Sequence, residues 1–437
     1  MNEARHEEHA AIWNDESHRF DYEQLTIVAA AGSWITDKQQ RRLLDAASGH
    51  SCVNLGYAHE ELIEAAQLSY RRLAYCSPEH RCRPIVDLAA RLDRLLGGDY
   101  RIRYAATGGG ANELAIEIAR RYWRHKGMPG KRNIIAFDRS YHGSTGSASF
   151  ASGPGILQSP LVDRSPEFLH VAGPRDTVKG QSRDLAALRD GLEAQIAAVG
   201  PHAIAAMIVE PVAFAGGVIV PPPGFLEMLA LLGKRHGILL IVDEIITGFG
   251  RCGAWFGFQR AERVRPDIVT MAKGITSAYF PLSAVAASSH IFETFLVPGN
   301  AMNKLITMAG HPVGCDIALK VIEIMERDGL VDRVRHNADT QLSRLSTLGR
   351  LPGVRDVRGV GHMWGLELSG ANGNDGSAMA QEIASRCFDA GLLVLQADNM
   401  IRINPPLVAS DSEIEFIVDA LIAAVRTASG TVSAATP

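Results

Sequence analysis

The hydrophobic and polar positions along the chain follow two different periods. Short apolar runs of roughly four to eight residues are typical of strands that are buried on both faces of a sheet. Runs with apolar residues three and four positions apart are typical of amphipathic helices. The strand pattern occurs at 101–106, 132–137, 203–209, 238–242, 267–271 and 282–286, and the helical pattern at 84–96, 111–126 and 224–236. This alternation predicts an α/β fold in which helices cover both faces of a mostly parallel sheet.

The pattern changes near residue 312. A long helical run covers 312–328, two short strand patterns follow at 353–357 and 362–368, and a final helix is expected over 411–426. We interpret this region as a smaller α+β domain. The predicted organisation is an N-terminal segment, 1–54, that packs with the small domain, then a large domain, 55–311, and a small C-terminal domain, 312–437.

Composition narrows the class of protein. The 437 residues are 46% apolar and 21% charged with a net charge of -4, which is typical of a globular protein and gives no reason to expect a nucleic-acid partner. No apolar run reaches the roughly 18 residues of a membrane helix, and the acidic start, 1–20, does not resemble a signal peptide. The six cysteines lack the spacing of a metal site. We therefore predict reduced thiols, no bound metal and a cytoplasmic location.

The stretch "GILLIVDEIITGFGR", 237–251, raises a chemical question. Its apolar run ends in Asp243 and Glu244. Parallel sheets bind ligands at the carboxyl ends of their strands, and burying a carboxylate is costly unless a partner offsets its charge. We expect such a partner for Asp243 and interpret Glu244 as structural.

Three other strand ends carry groups that one ligand could use. Glycines 108–110 precede a helix, where close backbone approach and free N–H groups suit a phosphate. Tyr141 could stack on a flat ring. Lys273 could lose its proton through desolvation and attack a carbonyl. Taken singly, these features are also typical of a glycine-rich turn, a core or surface ring and a solvated charge.

Pyridoxal phosphate would use all of these groups together. Asp243 would keep its ring nitrogen protonated, and Lys273 would bind its aldehyde as a Schiff base. An ion pair between Asp243 and the ring would make burial of the acid tolerable. The alternative from another class is a nicotinamide-dependent oxidoreductase that uses the glycine loop. That alternative lacks the third glycine, because Glu113 stands there, and leaves Lys273 and Asp243 without a role.

The segments "ILLIVDEIITGFGRCGAWFGFQ", 238–259, and "RPDIVTMAKGITSAYFPLSAV", 265–285, resemble the signature of class III (ω-type) aminotransferases, a family of fold type I pyridoxal-phosphate enzymes. The resemblance extends from residue 32 to residue 408. It implies transfer of an amino group from an ω-amino acid or amine donor to a 2-oxo acid, in a homodimer with shared active sites. An amino-acid epimerase, an aminomutase or a decarboxylase of the same fold stays open as an alternative.

The resemblance also assigns individual residues. It makes Lys273 the Schiff-base lysine and proton carrier, and it places Tyr141 and Ile245 on opposite faces of the cofactor ring. The implied cofactor contacts are Thr107, Gly108, Gly109, Tyr141, His142, Glu210, Asp243, Ile245, Lys273 and Thr307, of which Thr307 reaches the phosphate of the neighbouring subunit. The expected substrate contacts are Arg402, Ser51 and Tyr57, with Arg402 holding the carboxylate.

Several positions depart from the pattern of relatives that use 2-oxoglutarate. Ser144 stands where many of them have an arginine for the second carboxylate, and Ala215 where some have a glutamate that neutralises the carboxylate arginine. Ile246 replaces a glutamine. These departures predict that pyruvate is favoured over 2-oxoglutarate. In the pyruvate-using ω-transaminases a bulky tryptophan often stands at position 51, and Ser51 in its place predicts a roomier pocket.

Overall fold

The structure is a computed structural model that describes residues 25–154, 156, 165–175, 184–303, 306–369 and 375–430. The acidic stretch 1–20 and the first part of the predicted N-terminal segment lie outside these residues. Among the described helices, none has the length and apolarity that crossing a membrane requires. The predicted cytoplasmic location stays a prediction.

Eight of the described strands fall within three residues of the eight predicted runs. They are β1 (Ile27–Ala31), β2 (Trp34–Asp37), β3 (Arg42–Asp45), β4 (Tyr100–Ala105), β5 (Asn133–Phe137), β6 (Phe168–Val171), β7 (Ile204–Val209), β8 (Leu239–Asp243), β9 (Ile268–Met271), β10 (Ser283–Ser288), β11 (Val354–Val360), β12 (Met363–Leu368), β13 (Leu392–Leu393), β14 (Leu395–Ala397) and β15 (Met400–Ile403). Strand β6 was not predicted, because its four residues include a histidine and only two are fully buried.

The helices begin and end at recognisable signals. They are α1 (Glu60–Arg72), α2 (Arg83–Leu95), α3 (Gly108–His125), α4 (Gly146–Ala151), α5 (Leu185–Val199), α6 (Phe225–His236), α7 (Ser289–Glu293), α8 (Pro312–Arg327), α9 (Leu330–Ser346), α10 (Ser377–Asp389) and α11 (Asp411–Ala428). The Asp184 side chain caps α5, Ser410 and Glu413 form a capping box at α11, and left-handed Gly237 ends α6.

A seven-stranded sheet in the order β4-β10-β9-β8-β7-β5-β6 lies at the centre of the molecule. The prediction of a mostly parallel sheet is confirmed, since the five strands from β9 to β6 pair in parallel. Strand β10 runs antiparallel to both β4 and β9, a direction that the apolar pattern did not reveal. The carboxyl ends of the parallel strands therefore meet at one edge, which carries Asp243 and Lys273.

Apolar side chains cover both faces of this sheet. One core contains the buried face of α3, including Ile116 and Trp123. The opposite core contains α6 and also the apolar side of α8, where Val313 and Ile317 are buried. The helix that begins at residue 312 thus packs into the core of the large sheet, and the exact domain boundary at 311 stays a prediction.

Two four-stranded sheets contain the remaining described strands. The sheet β11-β12-β15-β14 is antiparallel, and the sheet β1-β2-β3-β13 joins the beginning of the chain to its end, because Leu44 of β3 pairs with Leu392 of β13. Leu44 and Ala46 share one apolar cluster with residues of α10 and α11. This arrangement brings 45–57 and Arg402 of β15 towards the large sheet.

Candidate active site

The carboxylate of Asp243 has three hydrogen-bond donors within the chain. Asn112 Nδ2 and His142 Nδ1 lie 2.7 and 2.8 Å from its Oδ2, and the backbone N–H of Ile245 donates to its Oδ1 at 3.0 Å. Because a carboxylate only accepts, Nδ1 of His142 carries the proton. Asp243 is only 3% exposed, so these donors orient a buried carboxyl group. Its Oδ1 retains acceptor capacity for a further donor, such as a protonated ring nitrogen.

Asn112 is a site residue that the sequence predictions missed. Its Nδ2 also donates to the backbone oxygen of His142 at 2.7 Å, and its Oδ1 accepts from the Thr270 hydroxyl at 2.8 Å. The side chain is fully buried. A signal was present, since Asn112 is a polar residue four positions before Ile116 on the apolar face of α3.

The start of α3 forms a cradle with the chemistry of a phosphate site. Thr107 caps the helix, with its Oγ1 accepting from Gly110 N–H at 3.0 Å. The N–H groups of Gly108 and Gly109 belong to the first helical turn, which has no acceptors within the helix. A Cβ on Gly108 would lie 3.1 Å from Ile245 Cδ1, whereas the nearest atom to a Cβ on Gly109 would be the Cα of Gly143 at 3.6 Å. Ile245 therefore borders the cradle, and its contact with the cofactor ring stays a prediction.

Glu210 and Tyr141 meet beside this cradle. The Tyr141 N–H donates to Glu210 Oε1 at 2.9 Å. Burial, and then the nearby Asp243 charge, raise the pKa of Glu210 well above its ordinary value. The bond fixes the backbone from which the Tyr141 ring projects.

Lys273 follows β9 with a left-handed backbone, φ 46°. Its Nζ donates to the backbone oxygen of His50 at 2.8 Å. Burial lowers the pKa of Lys273, while Cys52, Asp243 and Glu210 oppose that shift. The structure thus brings the amine and two carboxylates from separate strand ends into mutual electrostatic range.

Arg402 lies on β15 and contacts the segment that follows Glu210. Its Nη1 donates to the backbone oxygen of Ala215 at 3.1 Å, and its guanidinium lies 5.6 Å from the centroid of the Phe214 ring. Two positions that the sequence singled out for substrate selection, 215 and 402, are therefore neighbours.

The other predicted contacts have different surroundings. Ser51 is buried and its Oγ accepts from Asn404 Nδ2 at 2.7 Å, and Tyr57 Oη donates to Asp45 at 2.7 Å. Thr307 is exposed, and its backbone oxygen accepts from Tyr75 Oη at 3.0 Å. Their roles as substrate and phosphate contacts stay predictions.

Glu244 accepts its hydrogen bonds from the segment that follows it in the chain. It accepts from the Thr247 hydroxyl and from the N–H groups of Gly257 and Phe258 at 2.6 to 2.8 Å. Burial raises the pKa of Glu244 to about 7. These bonds anchor the segment 256–258 against the end of β8.

The cradle, the buried acid and the desolvated lysine fit pyridoxal phosphate, and with the seven-stranded sheet they define a fold type I pyridoxal-phosphate enzyme. The family model described as Aminotransferase class-III matches residues 17–425. The chain belongs to the class III aminotransferases.

Individual relatives agree with this assignment. The chain is 33% identical over 418 residues to a putrescine–pyruvate aminotransferase from Pseudomonas aeruginosa, covering 91% of both chains. It is similar to the crystal structure of an (S)-enantioselective ω-transaminase from Thermomicrobium roseum, with a TM-score of 0.92, 33% identity and 98% of both chains covered. An amine transaminase from an uncultivated Pseudomonas species in its PLP-bound form gives a TM-score of 0.90 at 32% identity, with 96% of this chain and 99% of that chain covered.

The enzyme is accordingly a transaminase that uses pyridoxal phosphate. This confirms the predictions of family, fold class and cofactor. Family membership also decides against the nicotinamide-dependent oxidoreductase.

Proposed function

We propose that the enzyme transfers the amino group of an amine or ω-amino acid to pyruvate, in preference to 2-oxoglutarate. The contact between Arg402 and Ala215 is the observation that carries this proposal. Ala215 places no carboxylate beside the guanidinium at a position where some relatives that use 2-oxoglutarate have a glutamate, and a guanidinium binds a carboxylate well. A relative named for pyruvate as acceptor supports the same choice.

The second carboxylate of 2-oxoglutarate would need another basic or polar group. Ser144, which stands where an arginine would bind it, is exposed and uncharged, and Ile246 carries no polar side-chain atom. Pyruvate has a methyl group where 2-oxoglutarate carries its second carboxylate, so it requires no basic or polar group there. The apolar side chain at 246 is compatible with that methyl group.

The acceptor preference is tested by measuring kcat/KM for pyruvate and 2-oxoglutarate side by side with a panel of amines. We expect pyruvate to be favoured with every productive amine. A clear preference for 2-oxoglutarate would contradict the acceptor assignment and leave the cofactor unaffected.

An Ala215→Glu variant sharpens this test. The new carboxylate would pair with Arg402 and compete with the acceptor, and we expect kcat/KM for pyruvate to fall by roughly 10-fold or more, as for a hydrogen bond to a charged group. Ala215→Gln adds the same bulk without the charge and serves as the matched control. Equal losses in the two variants would show that bulk, and not charge, is responsible.

We further propose that Lys273 binds the cofactor's aldehyde and acts as general base. When bound, pyridoxal phosphate supplies that aldehyde and a ring that withdraws electrons. Desolvation keeps Nζ of Lys273 able to accept a proton from the donor carbon, and the His50 carbonyl holds one of its N–H groups. Asp243, held in place by Asn112 and His142, would orient the ring, and the glycine cradle would hold the phosphate.

We also propose a homodimer in which Thr307 of one subunit reaches the phosphate site of the other. Its side chain is exposed in the single chain. The neighbouring Met308 and, at 296–297, Leu296 and Val297 are more than half exposed, although they are apolar. A partner subunit would bury these side chains.

A further inference from the structure

A turn of left-handed backbone, 48–51, presents His50 to the active site. Ser48, Gly49, His50 and Ser51 have φ angles of 46°, 53°, 69° and 67°, and the N–H groups of Ser51 and Cys52 donate to the oxygens of Ala47 and Ser48 at 2.8 Å. Three of these four residues are not glycine. Left-handed helical backbone costs each such residue about 1–2 kcal/mol, so the surrounding structure must hold this turn in place.

Several buried groups supply that support. Asp45 accepts from the N–H groups of Ala47 and Gly49 at 2.9 and 2.7 Å, and from the Tyr57 hydroxyl. Asn404 binds the turn from the other side, since its Nδ2 donates to Ser51 Oγ and its backbone oxygen accepts from the Ser48 hydroxyl at 2.6 Å.

The support extends to a buried arginine. Arg251 is fully buried and donates to the backbone oxygens of Asn404 and Pro405 and, at 2.6 Å, to Asn54 Oδ1. These bonds fix the small-domain segment that holds the turn. The strain is therefore maintained by contacts from three parts of the chain, and none of these contacts uses the His50 side chain.

His50 itself has two contacts with the reactive region. Its backbone oxygen accepts from Lys273 Nζ at 2.8 Å and from the Cys52 thiol at 3.3 Å. Its imidazole is exposed and lies within electrostatic range of both Lys273 and Arg402. The ring has no hydrogen-bond partner among the described residues. The backbone contact thus holds residue 50 beside the reactive amine, and its imidazole is exposed.

We propose that His50 is a substrate-binding residue whose imidazole N–H donates a hydrogen bond to the carboxylate of the 2-oxo acid that Arg402 binds. This inference rests on the proposed function. The carboxylate of the 2-oxo acid would then accept hydrogen bonds from two groups, the charged guanidinium of Arg402 and the neutral imidazole of His50.

The charge state of His50 suits this role. Although the residue is exposed as a whole, local desolvation and then the charges of Lys273 and Arg402 lower the pKa of its imidazole to about 4. The ring is therefore neutral near pH 7 and adds no third positive charge beside Lys273. A neutral imidazole has one N–H donor, which a carboxylate oxygen can accept.

The test compares His50→Leu, which removes the N–H, with His50→Gln, which keeps a side-chain N–H donor. In His50→Leu we expect KM for pyruvate to rise roughly 10-fold or more with little change in kcat, as for the loss of a hydrogen bond to a charged group. His50→Gln should recover most of this loss. The half-reaction with an amine that has no carboxylate should change less than about two-fold in either variant.

A binding measurement separates this inference from the proposed function. Propionate, an unreactive monocarboxylate, is titrated into the holoenzyme by calorimetry, and we expect its Kd to rise about as much as KM for pyruvate in His50→Leu. Unchanged propionate binding would overturn the role of His50. Equal losses in the amine and acceptor half-reactions would also overturn it, since they would indicate collapse of the turn.

His202→Leu is the matched control. This histidine is exposed and lies before β7, at the sheet edge opposite the site, so all constants should equal those of the parent. If the parent used no 2-oxo acid at all, the proposed function would fail, and propionate binding would still report on His50.

Discussion

At the scale of single residues, the site is organised around the carboxylate of Asp243. Its two side-chain donors, Asn112 and His142, come from sequence positions more than 100 residues away. Asn112 connects Asp243 with Thr270 of the neighbouring strand, and so links β8, β9 and α3. A buried network of this kind is costly to leave partly satisfied, which makes Asn112 a positioning residue of the site.

We expect Asn112→Ala to weaken pyridoxal phosphate binding by roughly 10-fold, the value of one hydrogen bond to a charged group. The variant removes one donor from Asp243 Oδ2 and leaves the Thr270 hydroxyl without its acceptor. The Kd of the apoenzyme for the cofactor, measured by absorbance titration, checks this.

Asn337→Ala is the control for this substitution. It removes an exposed hydrogen bond from the Asn337 side chain to Asp411, far from the site. The Kd of this variant for the cofactor should equal that of the parent. If Asn112→Ala also bound pyridoxal phosphate with the affinity of the parent, the positioning role of Asn112 would be contradicted.

At the scale of elements, the phosphate cradle depends on the packing of a loop against a helix. The loop 141–145 carries Tyr141 and crosses the start of α3. Gly143 has φ 142°, and a Cβ there would lie 2.7 Å from Ala148 Cβ and 2.9 Å from the Cα of Gly109. Only glycine allows the two backbones to approach this closely. The cradle is thus shaped by two elements, although only α3 carries the glycine motif.

A Gly143→Ala substitution should push the loop away from Gly109. We expect cofactor affinity to fall by at least about 10-fold and stability to fall by about 1–3 kcal/mol, as overpacking typically costs. Cofactor titration and thermal unfolding measure the two effects. Gly130→Ala, where a Cβ meets no atom within 4 Å, should leave both unchanged. Parental affinity in Gly143→Ala would show that the close approach is not needed.

At the scale of the whole molecule, two properties depend on more than one part of the chain. Arg251 and His362 lie where the large sheet meets the small sheets. The backbone N–H of His362 donates to the backbone oxygen of Arg251 at 3.0 Å. In the predicted homodimer, the phosphate site of one subunit also depends on Thr307 of the other subunit. Stability and activity therefore respond to contacts between parts as well as within them.

The junction between the parts predicts a pH dependence of stability. Burial, and then the charges of Arg251 and Arg333, hold the pKa of His362 at about 3, against an ordinary value of 6.5. Below pH 6.5 the unfolded chain binds a proton that the native protein does not. This histidine therefore lowers stability as the pH falls from 6.5 to 3, by at most about 1.4 kcal/mol per pH unit.

Replacing the histidine should remove this contribution. We expect the thermal midpoint of His362→Leu to fall less between pH 7 and pH 5 than that of the parent, whereas exposed His202→Leu should follow the parent. Identical pH profiles for all three proteins would contradict the assignment.

The predicted homodimer can be tested by mixing inactive subunits. Lys273→Ala removes the reactive amine, and Thr307→Ala removes the predicted phosphate contact at limiting cofactor. If sites are shared, each mixed dimer contains one intact site, made of Lys273 from one subunit and Thr307 from the other. We expect activity to reappear after the two variants are mixed, dissociated and reassociated. No recovery in dimers shown to be mixed would contradict sharing.

Local patterns in the sequence determined the secondary structure, the class of fold and the main chemical groups. The apolar runs before Asp243 and Lys273 predicted their strands to within one residue at the carboxyl end, and the glycines at 108–110 predicted a helix start. These features are readable because side-chain periodicity and turn chemistry act over a few residues.

Only the tertiary structure decided which distant groups meet. It placed the His50 oxygen on Lys273 across 223 residues, Asn112 on Asp243 across 131 residues, and Arg402 on Ala215 across 187 residues. It also set the antiparallel direction of β10, since an apolar run has the same pattern in either direction. Such contacts depend on how complete sheets and domains pack, and a pattern of neighbouring residues carries no record of that packing.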